Sequence, residues 1–504
     1  MAGVVFPCLL VVLGFFRCTL AGGLGQWGPV IEFPLVPVAA ALLHDSGELV
    51  IWSAYLNDNF GIGKSGKTQT ATFDPVSGNI TSAEITITNH DMFCPGISLD
   101  FEGRVIVTGG DTAKKTSIFD AATNTWIVAS DMQIARGYQS SATCSDGRVF
   151  TIGGSWSGNS RVRKTGEIYD ISTGDWTLLS GASVLPMLTA DKQGVFRSDN
   201  HAWLFGWKNS YVFQAGPSSA MNWYGTIDNG SQVTAGVRAN DPDSMDGTAT
   251  MYDAVAGSIL SLGGSPDYQN SDATSHAHTI QISDPPLNAS ATQINNMWFP
   301  RAFHNAVVLP DGSIFIVGGQ SRAVPFSDET AILTPELWDP TTTRFTKLTP
   351  NTIPRTYHSI GILLPDATVF TGGGGLCGTC TTNHPNAEIF SPPYLFKDDG
   401  ITLKSRPQIL SVSASTIKVG GSLDVTVKNT SVVALALVRM SSVTHTVNTD
   451  QRRVPLSSTK SANGLVHSVT LPADAGVLLP GYWMLFAIDD MGTPSVATTL
   501  KVTL

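Results

Sequence analysis

Apolar residues in this chain gather into runs of four or five that close on glycine. Ile106-Val107-Thr108-Gly109-Gly110, Phe150-Thr151-Ile152-Gly153-Gly154 and Phe315-Ile316-Val317-Gly318-Gly319 share the pattern, and Leu260 to Gly264 and Val369 to Gly373 match it. Leu49 to Ser53 and His201 to Gly206 are degenerate copies that fill the gaps. A run this short, ended by a turn former, predicts a strand buried on both faces. Seven copies spaced about 50 residues apart predict seven repeats of one supersecondary unit.

A second signature runs in phase with the first. An aromatic followed by Asp, a turn, and an apolar residue seven places after the aromatic recurs as Phe119 to Trp126, Tyr169 to Trp176 and Trp338 to Phe345. Turn formers lie between, such as Asn124, Thr173-Gly174 and Pro340-Thr341. This spacing predicts an outer hairpin whose two large residues pack between neighbouring units. Two independent signatures in phase, at this period, predict a seven-bladed kelch β-propeller.

After Pro392-Pro393 the glycine period stops, and Tyr394 to Ser405 is a short polar connection. From Arg406 to Leu504 short strands alternate, among them Leu423 to Val427, Leu435 to Val438 and Trp483 to Phe486, and about a hundred such residues predict an immunoglobulin-like β-sandwich. The chain is therefore expected to be all-β, with a propeller over 22–393 and a sandwich over 406–504. At the start, Val4 to Phe16 is too short to cross a bilayer as a helix, and it is followed by Thr19-Leu20-Ala21. A short apolar core closed by small residues predicts a secretory signal over 1–21, and hence a secreted, extracellular protein.

Composition narrows the partners. The 504 residues carry 30 Lys+Arg against 40 Asp+Glu, a formal net charge of −10, with only 14% charged. Such a length exceeds one compact core, and so acidic and lightly charged a surface offers no electropositive stripe for nucleic acid or an anionic membrane. Removing the leader leaves Cys94, Cys144, Cys377 and Cys380, and sequons at Asn79, Asn229, Asn288 and Asn429 accord with secretion. A monomer is the default expectation.

A propeller brings one strand of every blade to a central axis, so distant residues can converge at one mouth. His358, beside Tyr357, and His445, in Thr444-His445-Thr446-Val447-Asn448-Thr449-Asp450, would with phenolic oxygens suit tetragonal copper(II). Neighbours on a regular strand face opposite ways, however, so Tyr357 and His358 can serve one metal only at a strand end or bulge.

Longer stretches carry a resemblance. His90-Asp91-Met92-Phe93-Cys94-Pro95-Gly96, Ala135 to Ser141, Gly153 to Gly158, Leu188 to Gly194, Arg197 to Trp207, the Tyr357-His358 segment and Thr444 to Arg453 resemble the fungal galactose oxidases, over nearly everything after the leader. The resemblance implies a copper radical oxidase that turns a primary alcohol and O2 into an aldehyde and hydrogen peroxide. It implies one copper ion held by Tyr138, Tyr357, His358 and His445, and a self-made cofactor in which Cys94 Sγ is bonded to the Tyr138 ring. Tyr357 would take the hydroxyl proton of the alcohol, the Tyr138 radical a hydrogen from its carbon, and Trp156 would shield the radical. Arg197 and Gln193 would hold sugar hydroxyls, with Phe60 and Phe326 as an aromatic wall. A tight disulfide between Cys377 and Cys380 is implied as well, leaving Cys144 a buried free thiol. Whether a secreted peroxidase keeps the radical oxidised is left open.

The resemblance has departures. Phe196 stands where sugar oxidases carry Tyr, which loosens the case for galactose, and only a few residues separate the leader from Trp27-Gly28-Pro29, so no N-terminal carbohydrate-binding sandwich is expected. Galactose and galactosides are favoured over simple aliphatic or aryl alcohols because Trp156 and Arg197 are retained. A secreted kelch module without chemistry would explain the repeats and sequons, yet it would not require Cys94, Tyr138, Tyr357, His358 and His445 together.

Overall fold

The computed structural model describes residues 24–61 and 66–504; the expected leader, 1–21, lies outside the described residues. Seven antiparallel sheets follow one another around an axis. Blade 1 is built from Ala39–Leu42, Leu49–Trp52, Thr68–Phe73 and Ile80–Ile85, and blade 2 from Gly96–Leu99, Val105–Thr108, Thr116–Asp120 and Thr125–Ala129. The inner strands of blades 3 to 7 are Ser140–Thr143, Trp203–Trp207, Thr248–Asp253, Ala302–Val308 and Ser359–Leu363. Blade 7 is completed by Gln26–Trp27, which pairs with Asn386–Ser391 and so ties the start of the ring to its end.

The glycine-closed runs are the second strands of the blades, with one exception. In blade 4 the run ending at Gly206 belongs to the innermost strand, and the second strand is Tyr211–Gly216. Its glycine pair is replaced by Gly216-Pro217, so the repeat is displaced by one strand there. The glycines answer to close approach between blades. A Cβ on Gly153, at φ +79°, would lie 2.2 Å from the Asp199 carbonyl oxygen of the next blade, and one on Gly318 2.2 Å from that of Arg355. The paired large residues of the outer hairpins face each other across the strands as Phe119–Trp126, Tyr169–Trp176 and Trp338–Phe345. Trp126 reaches the neighbouring blade, edge-on to Trp52 at 6.0 Å.

A further repeat lies in buried ion pairs. In blades 3, 6 and 7 an arginine ahead of the inner strand meets a glutamate on the third strand: Arg136–Glu167 at 2.9 Å, Arg301–Glu336 at 2.9 Å and Arg355–Glu388 at 3.1 Å. Each guanidinium also donates to a glycine carbonyl at the end of its blade's second strand, Gly153, Gly318 or Gly373. One planar cation thus clamps three strands of its own blade.

The second domain packs a four-stranded sheet, Ile409–Val412, Ser422–Val427, Val466–Thr470 and Ser458–Lys460, on a five-stranded one that includes Val432–Arg439 and Gly481–Asp489. Its apolar core is continuous with blades 4 and 5, joining Leu423 and Leu485 to Phe205 and Ile259. From it Ser442–Thr444 adds a strand to Ala39–Leu42, and the segment after it enters the axis. Thr444 Oγ1 donates to Val38, Thr446 Oγ1 to Gly247, Thr449 Oγ1 to Ser141 and Arg452 Nη2 to Gly206, all on backbone oxygens. Asp450 accepts the Leu99 N–H and Gln451 that of Val308. Six blades are held by nine residues. Among the described residues, helix is confined to Val195–Ser198 and three short 3-10 turns.

Removing one partner of a buried pair leaves its charge unsatisfied. Glu336→Ala, which strands Arg301, is expected to lower unfolding stability by about 3–5 kcal/mol, read from urea denaturation of the purified protein.

Candidate metal centre

The centre sits where the inner strands begin. Cys94, Tyr138, His201, Asp246, Phe303 and His358 stand at the start of the inner strands of blades 2 to 7, each with φ between +54° and +69°. The left-handed region costs a side-chain-bearing residue roughly 1–2 kcal/mol, and six in one rim are held only because the surroundings impose it. Backbone bonds couple them: Tyr138 N–H donates to Cys94 O at 2.9 Å, His201 N–H to Tyr138 O at 2.9 Å and Phe303 N–H to Asp246 O at 2.8 Å. The turn also resolves the difficulty over adjacent ligands, since His358 at φ +69° precedes the regular strand and folds its ring over that of Tyr357, 3.8 Å between centroids.

Cys94, Tyr138, Tyr357, His358 and His445 converge and are all buried. The Tyr138 and Tyr357 hydroxyls are hydrogen-bonded to each other. Cys94 Sγ lies 3.4 Å from His445 Nε2, and the ligand atoms of Cys94, His358 and His445 lie within 4.8 Å of one another. The imidazoles are set for metal. His358 Nδ1 is 2.5 Å from Gly375 O, and His445 Nδ1 is 2.7 Å from Thr444 Oγ1, whose own proton goes to Val38. Both rings therefore carry the proton on Nδ1 and turn the Nε2 lone pair inward. His358 Nε2 is buried without a hydrogen-bond partner. Burial holds His358 neutral, at about 3, and pushes His445 well below the ordinary value. Two neutral imidazoles beside two phenols form an N2O2 donor set that fits copper(II).

The other acids here are held protonated. Burial, then the neighbouring Cys94, Tyr357 and Tyr268, raise the Tyr138 phenol, and burial, then Cys94, raises Tyr357. The Cys94 thiol is pushed well above its usual range by burial. A bound cation reverses that preference at an oxygen it touches. Cys94 is a free thiol as described, as is buried Cys144, whereas Cys377 and Cys380 are joined as a disulfide.

Above the centre is a cavity of about 250 Å³. Trp156 covers the Tyr138 ring at 4.6 Å but tilted by 42°, and Phe60 and Phe326 stack 5.7 Å apart as one wall. Arg197 lies 4.2 Å above the Tyr268 ring and lines the cavity. Gln193 lines a neighbouring hollow instead, its Oε1 accepting from Arg197 Nε at 3.0 Å, and Phe196 faces that same hollow. Arg197, on the short helix Val195–Ser198, keeps contact with both, its guanidinium 4.9 Å over the Phe196 ring, yet it lines the copper-side cavity while they line the other.

Sequence reasoning passed over Tyr268, Gln269 and Asn270. Tyr268 donates to Tyr357 Oη at 3.1 Å and stands 3.1 Å from His201 Nε2, while Gln269 and Asn270 line the cavity. A signal existed: Trp156, Tyr268 and Phe326 each sit in the loop after a glycine pair, at Gly153-Gly154, Gly263-Gly264 and Gly318-Gly319.

Known proteins resemble this arrangement over nearly the whole chain. The family described as "Galactose oxidase-like, Early set domain" matches residues 406–502, "Glyoxal oxidase N-terminus" matches 251–394, and "Kelch motif" matches 136–182. A galactose oxidase of Gibberella zeae is 54% identical over 486 residues, covering 95% of this chain and 71% of that protein. An aldehyde oxidase of Vitis pseudoreticulata is 26% identical over 82% of each chain. Among solved structures, a fungal alcohol oxidase of the AA5 family in complex with copper superposes with a TM-score of 0.92 at 46% identity, over 96% of this chain and all of the other.

Because the Thr444 hydroxyl fixes the His445 tautomer, Thr444→Val is expected to weaken copper binding about 10- to 100-fold. Calorimetric titration of the metal-free protein with copper(II) reads the loss.

Proposed function

The chain belongs to the galactose oxidase family, and from there we propose that it is a secreted copper radical oxidase converting primary alcohols and O2 to aldehydes and hydrogen peroxide. One observation carries the reading: four donors, Tyr138, Tyr357, His358 and His445, meet under an open cavity, and the thiol of Cys94 stands among them.

Alcohol oxidation removes two electrons. Copper(II) held by these donors would accept one, a phenoxyl radical on Tyr138, its ring joined to Cys94 Sγ, would accept the other, and O2 would take up both electrons with two protons as hydrogen peroxide. The remaining work falls to the chain. Tyr357 Oη, hydrogen-bonded by Tyr138 and Tyr268, receives the hydroxyl proton of an alcohol bound in the cavity. Tyr268 holds that oxygen in place, and Tyr138 takes hydrogen from the alcohol carbon. Trp156 over Tyr138 keeps water from the ring that carries the unpaired electron.

We favour galactose and galactosides as substrates. Arg197 at the mouth, with Gln269 and Asn270, offers polar groups to sugar hydroxyls, while Phe60, Phe326 and Trp156 offer faces for the apolar side of a pyranose. A general aliphatic or aryl primary alcohol oxidase is the second reading. It is supported by the apolar share of the wall, which includes Phe93, Val324 and Pro325. The four sequon asparagines, Asn79, Asn229, Asn288 and Asn429, are exposed, which supports export.

Tyr138→Phe is expected to retain copper and lose turnover, because both imidazoles remain while the radical has no home; copper content and peroxide release measured together decide it. After reduction of the Cys377–Cys380 disulfide, the wild-type protein is expected to show an intact mass short of the unlinked chain by two hydrogens, and Cys94→Ser the full mass after allowance for the substitution. Arg197→Ala is expected to raise KM for methyl galactoside by about tenfold or more, with benzyl alcohol little affected. Equal losses on both would remove Arg197 from sugar binding.

A further inference from the structure

Beside the copper cavity, across the ridge of Phe196 and Arg197, lies a second and larger hollow of about 530 Å³. Its wall is apolar where a surface is usually polar. Leu185, Val195 and Phe196 are 45%, 48% and 37% exposed, and Leu188 lies among them. Its rim is cationic on a chain of net charge −10. Arg161 and Arg163 are exposed, and among the described residues neither guanidinium makes an ion pair or hydrogen bond. The other two charges at the hollow are already engaged. Lys164 Nζ donates to the carbonyls of Ala135, Ser157 and Gly158, and Asp199 accepts from the Ser155 N–H and hydroxyl.

The two hollows are linked through one side chain. Arg197 lines the first, and its Nε donates to Gln193 Oε1, which lines the second. A molecule whose hydroxyl end reached Tyr357 could lay its remainder over Arg197 and into the second hollow. An apolar trough ending in two unsatisfied guanidinium groups is chemically complementary to a hydrocarbon or aryl segment that ends in an anion.

We propose that this hollow is a distal subsite selecting extended primary alcohols whose far end is apolar and terminates in a carboxylate or similar anion. The proposal rests on the alcohol oxidase reading, in its second form as a general aliphatic or aryl alcohol oxidase, and deepens it. It concerns what the enzyme prefers beyond the reacting carbon.

The test uses the copper-loaded protein and straight-chain ω-hydroxycarboxylates from hydroxybutyrate to hydroxydecanoate, each against its own primary amide. The carboxylate-to-amide ratio of kcat/KM is expected to stay flat for short chains and rise about tenfold, through KM, once the chain spans the ridge. In R161S/R163S it is expected to fall back to the short-chain value at every length. A flat ratio at all lengths overturns the proposal, and so does a rise that survives in R161S/R163S, which would assign the anion to Arg197. Absence of peroxide from every alcohol would instead defeat the oxidase reading. The hollow is then decided by calorimetric titration of the metal-free protein with octanoate: binding lost in R161S/R163S sustains it, and no binding overturns it.

Discussion

The axis of the propeller is the constraint on which the rest depends. Each blade turns its innermost strand toward the centre, and an inner edge with unpaired N–H and C=O groups, shut away from water, is costly. The chain fills that space with a segment of itself, Thr444 to Arg452, whose side chains meet backbone groups of six blades. Polar residues are required there because the partners are backbone groups. The sandwich is thus the anchor of the peptide that closes the propeller, and His445 holds its place because its neighbours are tied to the blades on every side.

The second condition is local. Strands deliver side chains alternately to opposite faces, which would scatter donors around the mouth. A left-handed residue at the head of six inner strands breaks the alternation and turns Cys94, Tyr138, His201 and His358 toward one point. That geometry is strained residue by residue and sustained collectively, by bonds from one blade's turn to the next and by the arginine clamps just upstream of Tyr138, Phe303 and Tyr357. Packing rigidity and donor placement are one property of the same turns.

Much of this was legible in the sequence because repetition leaves a mark. Glycine pairs and facing aromatics recur for reasons of close approach and interblade packing, so blade number could be read from them. Blade 4 misled at His201 to Gly206 because Gly216-Pro217 carries no pair, and a buried inner strand there is as apolar as a second strand elsewhere. Tyr357 and His358 looked incompatible on a regular strand, since a positive φ at histidine has no compositional signature. The arginine–glutamate clamps were invisible singly, their partners being some thirty residues apart, and Tyr268 was hidden because only folding brings its hydroxyl to Tyr357. Gln193 lies before the short helix Val195–Ser198 that carries Arg197, in a turn whose direction no periodicity reveals.

The position of His445 in the chain also sets an order in time. Synthesis delivers the thiol and both phenols with the propeller, but the second imidazole only after Pro393, and the axis closes only when the sandwich behind it can hold the inserted segment. A nascent or truncated chain therefore lacks the complete donor set. A fault in translation or folding of the last hundred residues leaves the propeller without its axial segment and without the second imidazole.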